Sequence, residues 1–193
     1  MRPRKATRPI ERLALTVSLL VAAPALAWDP TGHEVVARLA WRQLTDETRA
    51  EATRILRAAP VATGIPQLEP DFGPPELRER VLFERASLWA DLVRGDRRFD
   101  RPPWHYVNRY WERRSPSSPP SDRVDLPTRT PNVVSELVRI ADRLPAPQRP
   151  AHERSVDLAW LLHLVGDIHQ PLHTSSRITP EHPRGDRGGN ELP

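Results

Sequence analysis

The sequence predicts an all-α domain, on three observations. Apolar residues recur at helical spacing in five stretches, roughly 31–44, 46–58, 75–94, 131–144 and 152–169. No run alternates as a half-buried strand would. Helix-start residues stand before two of the stretches.

Ahead of the first stretch, residues 1–27 combine a basic start, an apolar run from Leu13 to Leu26 and the small-residue ending Ala25-Leu26-Ala27. That is the layout of a secretory signal peptide. The run is shorter than the ~20 residues that cross a membrane, and nothing later approaches that length. The expectation is export, with a secreted or periplasmic chain that begins at Trp28 and has no membrane span. Residues 28–193 are one domain's worth of chain and, with no cysteine, must draw stability from a core or from metal.

Along the helices, Thr45 reads as an N-cap followed by the first-turn acids Asp46 and Glu47. Residues 75–94 read as one long helix. Arg101-Pro102-Pro103 and the Pro/Ser stretch 115–121 are loops. Thr130-Pro131 places proline at a first helical position of the 131–144 stretch. Leu161, Leu162, Leu164, Val165 and Ile168 make the last helix apolar almost all round, which implies burial, and Pro171 should end it near Gln170.

Charge is uninformative once the leader is set aside. The whole chain is formally +4, but the leader holds five basic and one acidic residue, so residues 28–193 carry 24 of each sign and no net charge. A polyanion partner would need a local patch or bound cations.

The chemistry-bearing residues are densest in the last helix. His163 and Asp167 are spaced i, i+4, so they project from one face within reach of a shared metal ion. The alternative is a hydrogen-bonded pair on a polar stripe. A buried carboxylate and imidazole need strong partners, and a metal is one. His173 falls on the turn after Pro171. Asp91, in Trp89-Ala90-Asp91, and His105, in Trp104-His105-Tyr106-Val107-Asn108, are further candidate ligands. Singly they read equally as a solvated helix carboxylate and a satisfied core histidine. Trp28 and His33 open the exported chain, where a free α-amine and its carbonyl can chelate zinc; a frayed terminus anchored by a tryptophan is the plainer reading. His152, His169 and His182 are left unassigned, His169 lying about 240° around the helix from His163. The tryptophans other than Trp28 read as packing.

Taken together these segments resemble the single-strand-specific trinuclear zinc nucleases (S-one/P-one type), which share an all-helical fold with bacterial zinc phospholipase C. The resemblance rests on the tryptophan with histidine five residues on, W-A-D, W-H-Y-V-N, H-x-x-G-D-x-x-Q-P-L-H and a closing D-x-G-G-N, in that order from Trp28 onward. It implies that Asp91, His105 and His163 hold one zinc, that Asp167 bridges to a second held by Trp28 and His33, and that His173 is the first ligand of a third. The family completes the third site with an H-x-x-x-D motif downstream of the G-G-N turn, and this sequence ends at Pro193, so at most two well-formed sites are expected. Arg94, three residues after Asp91, is a candidate phosphate clamp, or else a solvated arginine of the helix's last turn. Asn108, where fungal members carry aspartate, cannot act as a base but can donate a hydrogen bond to substrate. Asn190 and the two glycines before it are candidates to line a base pocket.

The implied activity is hydrolysis of single-stranded DNA or RNA by metal-activated water, leaving 5′-phosphate ends, by a monomer. Two alternatives stand beside it: a phospholipase C-like phosphodiesterase with the same metal cluster, and a truncated product with a partial metal site that catalyses nothing.

Overall fold

A computed structural model describes residues 30–113, 117 and 128–191. The leader, the Trp28 α-amine and most of the Pro/Ser stretch lie outside the described residues. The described part is mostly helical: α1 (Pro30–Gln43), α2 (Asp46–Arg57), α3 (Pro75–Ala86), α4 (Trp89–Leu92), α5 (Val133–Arg143), α6 (Ala151–Ile168) and α7 (Pro171–Thr174). No described helix is long and apolar enough to cross a membrane.

Helix α6 is the centre of the packing and touches α1, α2, α4 and α5. Its near-continuous apolar surface has the expected consequence: Leu158, Ala159, Trp160, Leu162 and Leu164 are all buried. Helix α1 presents His33, Ala37 and Trp41 inward, a stripe at i, i+4 and i+8. Thr45 caps α2, its side chain accepting from the Thr48 amide at 3.3 Å. An aromatic chain runs toward the site, with Trp160 edge-on to Trp89 at 6.1 Å and to His105 at 5.4 Å between ring centroids.

Two expectations need correction, and a pair of short strands is added to the helical fold that the sequence predicts. The 75–94 stretch is two helices, broken at Ser87 and Leu88. There the chain tightens into i→i+3 bonds, Leu88 N–H to Arg85 O at 2.9 Å and Asp91 N–H to Leu88 O at 3.0 Å. Pro131 is not at a first helical position: α5 starts at Val133, capped by Asn132 in a reciprocal box with Ser135, and the Thr130-Pro131 bond is cis. The asparagine cap outcompetes the proline because its side chain satisfies two free amides, Val134 at 2.9 Å and Ser135 at 3.0 Å. Finally, two strands are present, β1 (Arg109–Glu112) and β2 (Ser175–Ile178), paired in parallel with Arg109 opposite Ser175. Four residues are too few for alternation to register in a sequence pattern, and the pairing is long-range.

Glu84 is buried on α3 and accepts from Arg38 through both oxygens at 2.8 Å and from Arg80 at 2.9 Å. Burial alone would raise its pKa, but the two guanidinium groups hold it below the usual carboxylate value. A depressed folded pKa gives stability that is present above the unfolded value, about 4.3, and is lost as pH falls through the folded value. Glu84→Gln is therefore expected to cost about 1–2 kcal/mol at neutral pH, moderated by the partial exposure of both arginines. It should also flatten the acid limb of the stability curve. Thermal melts of both chains across pH 3–7 check this, and parallel acid limbs would contradict it.

Candidate metal centre

Five elements converge on one buried cluster. His33 comes from α1, Asp91 from α4, His105 from the end of a 3-10 turn (Pro102–His105), His163 and Asp167 from the last turns of α6, and His173 from α7. His163 and Asp167 are 0% exposed. The i, i+4 spacing puts His163 Nε2 3.1 Å from Asp167 Oδ2. His105 Nδ1 completes a triangle, 3.1 Å from the same oxygen and 2.9 Å from His163 Nε2. On the other side of the carboxylate, Oδ1 lies 2.8 Å from His173 Nδ1 and 3.7 Å from His33 Nε2. Asp91 Oδ1 stands 3.7 Å from His163 Nε2 and 3.9 Å from His105 Nδ1.

Tautomers follow from the backbone. His163 Nδ1 lies 2.7 Å from Ser87 O, and a carbonyl only accepts, so Nδ1 carries the proton and Nε2 turns its lone pair to the cluster. The α3–α4 break makes that carbonyl available: in a continuous helix it would accept from the Asp91 amide, which instead bonds Leu88 O. His173 Nδ1 likewise donates to His105 O at 3.0 Å. His33 stacks on His163, with centroids 4.2 Å apart and planes 13° from parallel. Gly166 makes room for that stack, because a Cβ there would lie 2.3 Å from His33 Nδ1.

The electrostatics suit a cation. Burial would raise the Asp167 pKa, yet the imidazoles of His105, His163 and His173 packed around it keep it far below the usual carboxylate range, so it is ionised. Burial, with the neighbouring His163, pushes His33 down to about 4, which leaves it a neutral donor at ordinary pH. The buried Oδ1 of Asp91 meets Arg94 Nη2 at 2.7 Å and that of Asp167 meets His173 Nδ1 at 2.8 Å, so each carboxylate turns an oxygen into the cluster beside a basic side chain. Two sets of three, His33/Asp91/His163 and His105/His163/Asp167, have their donor atoms within 4.8 Å of one another. Both draw on His163, which has one free nitrogen, so that nitrogen serves one ion. Donors on a tetrahedral zinc with bonds of about 2.0–2.1 Å stand roughly 3.3 Å apart, close to the 2.9–3.1 Å triangle found here. An all-N/O set of imidazole and carboxylate fits zinc.

Of the remaining sequence candidates, Arg94 is exposed with Nη2 2.7 Å from Asp91 Oδ1, an ion pair at the edge of the cluster. Asn108 is half-buried and helps line a cavity of about 690 Å³ that begins at Tyr106, one residue past His105. Asn190 does not line that cavity. Its amide donates to Arg187 O at 2.7 Å and ties a turn. His169 is exposed and bonds Val165 O at 2.6 Å, away from the cluster, and His182 pairs with Glu191 at 3.0 Å. Ser87 and Gly166 position ligands without being ligands; the sequence signals the second through the G-D dipeptide and the first not at all.

Residues 28–193 match the S1/P1 nuclease family. The chain is similar to Endonuclease 2 of Arabidopsis thaliana, 28% identical over 187 residues that cover 93% of this chain and 54% of that protein. The chain thus spans about half the length of the curated relative it matches. No solved structure matches it significantly.

Proposed function

The chain belongs to the S1/P1 nuclease family, and from that premise we propose a secreted or periplasmic, zinc-dependent endonuclease that hydrolyses phosphodiester bonds of single-stranded DNA or RNA and leaves 5′-phosphates. The observation that supports this best is the split carboxylate of Asp167. Its Oδ2 faces His105 and His163 while its Oδ1 faces His33, the disposition of a ligand shared by two ions. In this reading Asp91, His105 and His163 hold one zinc, Asp167 bridges, and Trp28 and His33 hold the second, with His173 free through Nε2 to hold a third. The bound zinc ions supply Lewis-acid activation of water and of the phosphodiester.

The chain's own groups do the rest. Ser87 O fixes the proton on Nδ1 of His163, so its Nε2 lone pair points at the centre, and His105 O holds the His173 ring through Nδ1. Arg94 has the length and exposure to leave Asp91 and take a non-bridging phosphate oxygen, where its charge offsets what develops at phosphorus. Asn108, on the cavity wall, donates from its amide to the bound strand. A cavity walled in part by Tyr106 and Tyr110 suits a splayed, stacked base, which a duplex does not offer.

The test is zinc content of the chain cleaved to start at Trp28, measured by plasma mass spectrometry beside chelator-sensitive cleavage of single-stranded DNA. About two zinc ions per chain with EDTA-sensitive cleavage is the expected result. Two ions without cleavage would reduce the chain to a metal-binding domain, and no bound metal would overturn the site.

A further inference from the structure

The cavity beside the metal centre has more positive charge on its wall than the composition of residues 28–193 forecasts. Arg129, Arg184 and Arg187 all line it, each is exposed, and none has a carboxylate partner among the described residues. Elsewhere on the surface Arg38, Arg54, Arg57 and Arg98 are each engaged by an acid, while Arg42, Arg97 and Arg109 stand without an ion pair among the described residues but do not line the cavity. Two carboxylates share the wall, but Glu191 is occupied by His182. The net charge there favours an anion.

The backbone adds an independent sign. Arg187 sits at φ +52, the left-handed region where glycine or asparagine costs least. Asn190 holds it there through its carbonyl. Next to it, Gly185 at φ +88 is buried against β1, and a Cβ there would fall 2.9 Å from the Tyr110 ring. That close approach brings Arg184 and Arg187 to the tyrosine side of the cavity.

We propose that Arg129, Arg184 and Arg187 form a backbone grip for single-stranded nucleic acid, taking phosphates that flank the one at the metal centre while Tyr106 and Tyr110 meet the intervening bases. The inference rests on the nuclease reading for the identity of the polyanion. It makes the chain a polynucleotide binder whose affinity depends on salt through these three side chains.

The experiment measures binding of a short fluorescein-labelled oligothymidylate by anisotropy, in EDTA to prevent cleavage, from about 50 to 200 mM salt. The full chain is compared with the triple variant Arg129→Gln, Arg184→Gln, Arg187→Gln and with Arg→Lys at the same three positions. Each phosphate contact contributes about 0.7 to the slope of log affinity against log salt on single strands, so the triple variant should lose roughly two units of slope. Binding at low salt should weaken at least about tenfold, while the lysine variant keeps most of the slope. Arg187→Gly should raise the melting temperature as it weakens binding, because it relieves the left-handed arginine. Equal slopes for the full chain and the triple variant, or no binding by the full chain, overturn the grip. Zinc-loaded cleavage of the same oligonucleotide is read in parallel. Cleavage with equal slopes leaves the nuclease reading standing, and a lost slope without cleavage keeps the grip and overturns that reading.

Discussion

Asp167→Asn is expected to reduce zinc affinity by about a thousandfold or more. The carboxylate is fully buried, ionised, and within 3.7 Å of four imidazole nitrogens. At an effective dielectric near 20, two unit charges about 4 Å apart attract by roughly 4 kcal/mol, and a divalent ion next to the carboxylate gains more than that. Asparagine keeps the shape and one acceptor, so the loss is chiefly charge. The variant should fold, though less stably without metal, because the imidazoles that bond Asp167 favour its ionised form. The informative quantity is therefore the zinc-induced rise in melting temperature of each chain relative to its own metal-free form. Wild type should show a large rise and Asp167→Asn almost none, with zinc content falling in step. A variant that retained both ions would remove Asp167 from the centre.

Gly166→Ala should have the second-largest effect, and its sign runs against local propensity. In an exposed helix interior the change gains up to about 1 kcal/mol. Here the new methyl would stand 2.3 Å from His33 Nδ1 and 2.9 Å from its Cε1. His33 is 2% exposed and stacked on His163, so the ring has no free direction in which to yield. Overpacking of this kind costs about 1–3 kcal/mol, enough to outweigh the propensity gain. The displaced ring takes the second ion's ligand with it. Zinc content should fall by about one ion per chain while the triangle of His105, His163 and Asp167 keeps the other. Metal analysis distinguishes this from a general loss of fold, which would remove both.

Much of this centre is legible in the chain. His163 and Asp167 are readable because an i, i+4 pair on a helix must share a face, and the apolar surroundings announce that the face is buried. His33, Asp91 and His105 each mean little alone, and only their order along the chain raises them above satisfied core residues. Helices α1, α2 and α6 were readable for the same reason, since their periodicity is long enough to count. What escapes is whatever depends on partners distant in sequence. The β1–β2 pair is joined across more than sixty residues, and no four-residue run can advertise its neighbour. The α3–α4 break carries no proline or glycine: the buried Ser87 turns its hydroxyl back on Glu84 O at 2.5 Å, and the long-range part is its carbonyl, which takes the His163 Nδ1 proton at 2.7 Å. At Asn190 the motif gives no sign of the local bond that the structure shows, its amide donating to the Arg187 carbonyl.

That break between α3 and α4 also bears on how the chain would respond to improvement. A protein engineer scanning for stabilising changes would mark the interruption at Ser87 and Leu88 as one to be smoothed, and a good helix former in place of Ser87 would be the routine choice. Restoring the continuous helix would return the Ser87 carbonyl to the main-chain ladder and leave His163 free to take either tautomer. Thermal stability and metal affinity should therefore pull in opposite directions at this one joint, and selection for rigidity alone would erode the centre without touching a ligand.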